Sequence, residues 1–228
     1  MRVASYKIIV ARYNEKISWL NDIIDDCIII NKGTPLNIKN EIPRINLGRE
    51  SDTYLNYIID NYDDLPDIVI FTQGRISDHI LGNEVDFLLN LKKEAIQNEK
   101  SSSRDINNDC IGPTFNIKLN KYSNELADVS FNSVKNIFCL KGNYSFYLKD
   151  NYYNNQPVSF YEWYIKNINL EFPKEKMKVY TNGLFAVKKE LIVKRTKEYY
   201  ENLIKTVNHH INPSEGHFLE RSWYYIFQ

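Results

Sequence analysis

Short apolar runs alternate with helix-period segments through residues 1–95, and this alternation constrains the fold more than any other feature of the sequence. Lys7 to Ala11 (KIIVA) is β-branched and has no amphipathic period, the pattern of a strand buried on both faces. Trp19, Leu20, Ile23 and Ile24 then recur at helical spacing, with Ser18 placed to cap their helix. A second strand, Cys27 to Ile30, stops at Asn31-Lys32-Gly33. Past a loop carrying Pro35, Pro43 and Gly48, the residues Tyr54, Leu55, Ile58 and Ile59 mark a second helix, with Ser51 as its candidate cap. A third strand, Asp67 to Phe71, stops at Thr72-Gln73-Gly74. Strand, helix, strand, helix, strand on short links is the mark of βαβ units, so residues 1–95 are expected to form a parallel, doubly wound half-sheet.

The remainder is expected to complete the same α/β domain. Residues 97–112 (QNEKSSSRDINNDCIG) carry almost no apolar side chains and read as an exposed, dispensable loop. From 113 to 228 the signals are strand-like pieces at Ile137–Leu140 and Tyr144–Leu148, then VYTNGLFAV (Val179–Val187), a strand broken at Asn182-Gly183. Leu203, Ile204, Val207 and Ile211 give a long helix its apolar stripe. Asn212, Pro213 and Glu215 occupy the N-cap, first-turn proline and capping-box positions of a final helix.

Composition removes several classes of function. Lys+Arg 29 against Asp+Glu 29 leaves no net charge, so there is no global field to hold a nucleic acid by counterion release. Cys27, Cys110 and Cys139 form no CxxC pair, which points to a reducing compartment, and the interrupted N-terminal apolar run does not read as a signal peptide. The expectation is a cytoplasmic protein without a membrane span. GxGxxG after the first strand, GxxxxGK[ST], GxSxG and HExxH are all missing, which removes the main support for dinucleotide enzymes, P-loop NTPases and the commonest hydrolases.

Open parallel sheets bind ligands outside the carboxyl ends of their strands. The polar residues gather at those positions: Arg12, Tyr13, Asn14 and Glu15 after the first strand, Asn31, Lys32 and Gly33 after the second, and Gln73, Gly74, Asp78 and His79 after the third. Arg44, Asn46, Gly48, Arg49 and Glu50 lead into the second helix. Cations and amides together suit an anionic ligand such as a nucleotide diphosphate, although solvated strand ends look the same. Asp78-His79 reads equally as one side of a divalent-metal site or as a loop-capping pair. Glu84 and Asp86 read as helix-dipole partners. On the last helix His217, Glu220, Arg221 and Tyr224 fall in one stripe opposite Leu219, Trp223 and Ile226. That stripe is either a solvated face or a functional one, with Glu220 or Glu215 as a general base and His217 or Arg221 toward a departing phosphate.

Five blocks carry a resemblance: Val10-Ala11-Arg12-Tyr13-Asn14-Glu15, NLGRESDT (Asn46–Thr53), Phe71-Thr72-Gln73-Gly74 with His79, GLFAV (Gly183–Val187) and EGHFLERSW (Glu215–Trp223). As a set they resemble a family of eukaryotic and viral domains of unknown function, which itself is similar to GT-A-type nucleotide-sugar glycosyltransferases. The resemblance implies a single GT-A-like domain with a mainly parallel central sheet flanked by helices. It further implies a nucleoside-diphosphate-sugar donor held by Arg12, Asn14, Glu15, Lys32, Arg49, Gln73 and Gly74, and a glycan or protein acceptor. Asp78 and His79 would hold a divalent cation (Mn2+ or Mg2+), Glu220 would deprotonate the acceptor hydroxyl, and Glu215 and His217 would stand beside it. Such enzymes carry an acidic DxD pair where this chain has Gln73-Gly74 and then Asp78-His79, and no DxD occurs in it. The alternative is therefore a non-catalytic nucleotide-, glycan- or protein-binding module of the same shape; a phosphodiesterase or nuclease using His79 and His217 ranks third.

Overall fold

In the computed structural model, which describes residues 3–97, 110–111, 114–118, 160–173 and 176–228, the chain builds a mixed sheet covered by helices on both faces. The first strands are β1 (Tyr6–Arg12), β2 (Cys27–Asn31), β3 (Glu41–Pro43) and β4 (Ile68–Gln73), with α1 (Arg49–Asp60) between the last two. β1 pairs in parallel with both β2 and β4, as the βαβ pattern predicts, and β3, in the stretch read from the sequence as a loop, adds a parallel pairing with β2. Beyond them come α2 (Glu84–Gln97), β5 (Cys110–Ile111), β6 (Thr114–Lys118), α3 (Phe160–Asn167), β7 (Lys176–Tyr180) and β8 (Phe185–Lys188). Three helices follow: α4 (Lys189–Ile192), α5 (Lys197–Ile204) and α6 (Ser214–Ile226). The six-stranded sheet runs β3-β2-β1-β4-β8-β5, with β8 antiparallel to β4 and β5 antiparallel to β8. The chain winds outward from β1 through β2 to β3, then returns to the other side of β1 as β4. That reversal is a topological switch point, where the loops leaving two adjacent parallel strands separate and open a crevice.

Alternation along the central strands explains the two layers. Ile9, Val69 and Phe71 face a cluster with Tyr54 and Ile58 of α1, Trp163 of α3, Tyr200 of α5 and Trp223 of α6. Ile8, Val10, Ile68 and Ile70 face the other way, onto Leu20, Leu88 and Leu91. A strand buried on both faces needs apolar residues at every position, which is why KIIVA shows no period.

Several local expectations change. The Trp19–Ile24 segment is not an α-helix but a 3-10 stretch, Ser18–Asp26, kinked at Ile23, and Ser18 caps nothing because the stretch follows Ile17 without a side-chain cap. Ser51 does not cap α1, which starts after Gly48 in a left-handed conformation (φ 62°). Instead, its hydroxyl donates to the Gly216 carbonyl at 3.3 Å, tying α1 to α6. VYTNGLFAV does break at Asn182-Gly183, and its halves enter different sheets, β7 pairing with β6 and β8 with β4. The helix expected to run to Ile211 ends at Ile204, and Ile211 is 55% exposed. The capping box at Asn212 and Glu215 does not form: α6 starts at Ser214 behind Pro213, with no side-chain cap. Of residues 97–112, Gln97 closes α2 and Cys110–Ile111 form the edge strand β5. Residues 98–109, and the pieces at Ile137–Leu140 and Tyr144–Leu148, lie outside the described residues.

Candidate functional site at the switch point

The crevice begins with Arg12, the last residue of β1. The residue is 7% exposed and its guanidinium turns back along the strand ends, Nε donating to the Glu15 carbonyl (2.9 Å) and Nη1 to Asn31 Oδ1 (2.7 Å) and the Thr34 carbonyl (2.9 Å). Asn14 closes the same knot, its Oδ1 accepting from the Thr34 N–H at 2.9 Å. The two strand-end loops touch so closely that a Cβ on Gly33 would fall 1.6 Å from the Tyr13 carbonyl oxygen, so that position admits only glycine. Glu15 Oε2 accepts from the Tyr13 N–H at 2.7 Å, and Trp19 Nε1 donates to the Gly74 carbonyl at 2.9 Å. At the end of β4, Gln73 Nε2 donates to the carbonyl of Asn182, itself left-handed at φ 54°.

The opposite wall is the start of α1. Gly48 and Arg49 are consecutive left-handed residues, φ 62° and 52°, the second at a cost because it carries a side chain. Lys32 holds this turn. Its buried Nζ donates to the carbonyls of Leu47 (2.5 Å) and Arg49 (2.7 Å) and to Asp52 Oδ1 (2.7 Å). Burial lowers the Lys32 pKa, and the Asp52 charge and hydrogen bond oppose that shift. With those bonds made, Lys32 shapes the wall and is committed to it. The Gly48 N–H donates to the His210 carbonyl at 2.8 Å, joining the turn to the loop before α6.

Behind that wall lies a polar group on α6. The stripe of His217, Glu220 and Arg221 is not a solvated face: Glu220 is 9% and Arg221 2% exposed, with Leu219 and Trp223 buried beside them. Arg49 Nη1 stands 3.4 Å from His217 Nε2 and 3.4 Å from Asn212 Oδ1, and its Nε is 3.4 Å from Glu50 Oε2. His217 Nδ1 faces Glu220 Oε2 at 3.7 Å, a separation at which the carboxylate acts more through its charge than through a formed hydrogen bond. Burial alone would raise the Glu220 carboxyl, but the His217 contact and the Arg221 and Arg49 charges together hold it below the usual carboxylate range. Burial lowers His217, opposed by the Glu220 contact and aided by the same two arginines.

Between these walls is a cavity of about 410 Å3. Arg12, Glu15, Lys32, Arg49 and Gln73 of the expected binding set line it, whereas Asn14 and Gly74 build the wall behind. Glu215, His217, Glu220 and Arg221 do not line it. Asp78 and His79 also stand outside, Asp78 half-exposed and paired with Arg75 at 2.9 Å. Among the described residues no three His, Cys, Asp or Glu side chains gather into a cluster that could hold a metal ion. The cavity adds Tyr13, Asn46, Glu50 and Asn212, visible in the sequence as polar loop residues but given no role there, or only a capping one in the case of Asn212. It also adds Thr53 and Ile211, which the sequence signals only as helix positions.

Among the described residues no helix is long and apolar enough to cross a membrane. The sequence model of a family described as "Protein of unknown function (DUF3431)" matches residues 8–228, and the chain belongs to that family. No curated protein and no solved structure matches it.

Proposed function

We propose that this DUF3431 protein binds a nucleoside-diphosphate sugar in the switch-point cavity and transfers the sugar to an acceptor hydroxyl. The observation that supports this reading is the pairing of chemistries around one cavity. Two arginines line it, Arg12 with Nε and Nη1 committed to the strand-end loops and Arg49 with about a third of its side chain exposed (36%), while Tyr13 and Ile211, half-exposed or more, give its mouth an aromatic and an aliphatic surface. A ligand with a diphosphate and a flat, partly apolar ring satisfies both. The resemblance of the V-x-x-Y-N-E strand end to the opening strand of GT-A-type enzymes points the same way.

In the transfer step the acceptor oxygen attacks the anomeric carbon, the bond from that carbon to the diphosphate oxygen breaks, and the electron pair leaves with the diphosphate. Arg49 meets the charge that develops on the leaving group, and the buried Arg12 adds its positive charge to the wall beside it. The acceptor proton goes to a carboxylate that reaches the cavity. Glu15 and Glu50 both line the cavity, and the proton is assigned to Glu50, whose Oε2 lies 3.4 Å from Arg49 Nε and so beside the guanidinium that faces the leaving group. Glu220, held ionised behind the wall, is assigned a positioning role instead.

The second reading, a binding module without transfer, is favoured by the position of Asp78 and His79 outside the cavity. A thermal-shift screen of nucleoside diphosphates and their sugar derivatives, with manganese and with chelator, tests the pair. A ligand at 100 times its Kd adds about 2.7 kcal/mol of stability. The expected result is stabilisation by a nucleotide sugar that Arg49→Ala abolishes and His79→Ala leaves intact, followed by turnover that falls roughly 10²–10⁴-fold in Glu50→Gln. Stabilisation without turnover selects the binding module; no stabilisation by any nucleotide sinks the transferase and the nucleotide-binding form of the module alike.

A further inference from the structure

The geometry points to Glu220 and His217 as a buried relay that aims the Arg49 guanidinium into the cavity, with His217 neutral and its proton on Nδ1. The inference deepens the anion-binding reading above and rests on it for the role of Arg49, while the relay itself stands on side-chain geometry.

The direction of each contact fixes the protonation state. A guanidinium has only donors, so the 3.4 Å approach of Arg49 Nη1 to His217 Nε2 is attractive only if Nε2 presents its lone pair. The single imidazole proton must then sit on Nδ1, the nitrogen that faces Glu220 Oε2. An imidazolium at this place would turn an N–H against an arginine N–H. Among the described residues the charged groups acting on the ring are Arg49 from α1 and Glu220 and Arg221 from its own helix. Two of the three are cations, and they act with burial against a second proton.

The relay supplies what the backbone of Arg49 cannot. Arg49 sits at the first position of α1 in a left-handed conformation, and its side chain is about a third exposed (36%). A long side chain so placed loses its rotamer freedom only against fixed partners. Glu220 is fixed on α6 by the Arg221 guanidinium 3.8 Å away, and Arg221 Nη1 also donates to the His217 carbonyl one turn back. The ring is thereby held from both sides, Asn212 Oδ1 accepts from Arg49 Nη1 at 3.4 Å, and the guanidinium is set before a ligand arrives.

Two measurements on the intact chain decide it. Long-range proton–nitrogen correlation spectra of the 15N-labelled protein report the tautomer of each histidine. His217 is expected neutral and Nδ1-protonated at pH 7; an Nε2-protonated ring or an imidazolium overturns the relay. Titration with uridine, guanosine and adenosine diphosphates then reads the aiming. His217→Gln, whose amide oxygen can still accept from Arg49, is expected to bind within about threefold of the parent, and His217→Leu roughly tenfold or more weaker. Equal affinity in both variants, with both folded by circular dichroism, removes the positioning role. A parent that binds none of the three diphosphates overturns the proposed ligand, and the relay then stands or falls on the tautomer.

Discussion

Glu215 is 4% exposed and its Oε2 has no hydrogen-bond partner among the described residues, with His209 Nε2 3.9 Å away. Burial raises the Glu215 carboxyl above its ordinary value of 4.5 and lowers His209, so neither group settles the other's charge near neutrality. A raised folded-state pKa means that the native protein holds this proton more tightly than the unfolded chain. Its stabilising share is complete below 4.5 and is lost as pH rises through the folded value, so at pH 7 the ionised carboxylate is a cost. Glu215→Gln is therefore expected to gain on the order of 1 kcal/mol at pH 7. That advantage should close as the pH falls below about 4.5. Urea unfolding at pH 7 and pH 4 checks both halves, and a variant less stable than the parent at pH 7 would show that the carboxylate has a use the packing does not reveal. Lys32 is the contrasting residue. A lysine after a parallel strand reads as a phosphate ligand, yet here it spends its donors on two carbonyls and Asp52, and so builds the wall that presents Arg49.

The element that most constrains the cavity is the start of α1. It opens without a side-chain cap, and its first turn is set by Gly48 and Arg49 in the left-handed region, by Lys32 from below and by the His210 carbonyl from the side. A Cβ on Gly48 would meet Asp52 Cβ at 2.5 Å and the Val207 carbonyl oxygen at 2.9 Å, on a backbone already at φ 62°. Gly48→Ala thus combines an unfavourable backbone with two contacts that must give way, and an expected loss of about 2–4 kcal/mol follows. Because Val207 belongs to the segment leading to α6, the displacement should also disturb Asn212 and His217. The measurement is chemical denaturation together with nucleotide-diphosphate titration: stability and affinity should fall together. A stable variant with parental affinity would show that this turn does not hold the cavity.

At the scale of the whole molecule, the site depends on an aromatic seam that joins the sheet to α1 and α6. Trp223 packs 5.8 Å from Phe185 of β8, 6.1 Å from Tyr54 of α1 and 5.8 Å from Phe227, nearly parallel to the last at 6°. Phe71 of β4 stands 4.7 Å from Tyr54 and 5.2 Å from Phe185. Residues far apart in sequence meet in this seam, which helps to set the distance between Arg49 on α1 and His217 on α6. Trp223→Ala is expected to cost about 3–5 kcal/mol. Differential scanning calorimetry reads that loss; a change below about 1 kcal/mol would mean that the helix repacks without it.

The sequence by itself determined the parallel half-sheet, because a strand buried on both faces must be apolar throughout and its crossovers must carry helical period, and both are visible in KIIVA and in Tyr54, Leu55, Ile58 and Ile59. It also placed Arg12, Glu15, Lys32, Arg49 and Gln73 at one end of that sheet, since strand direction decides where the following residues lie. Side-chain commitment was not legible, because it depends on partners distant in the chain. That Lys32 serves Asp52, that Glu220 is buried among His217 and Arg221, and that Asp78 pairs with Arg75 away from the cavity are outcomes of packing. The same holds for α6. Its stripe has the period of a solvated face, and only the arrival of α1 and the sheet against it turns that stripe into a buried polar group, where each charge must find a partner or shift its protonation.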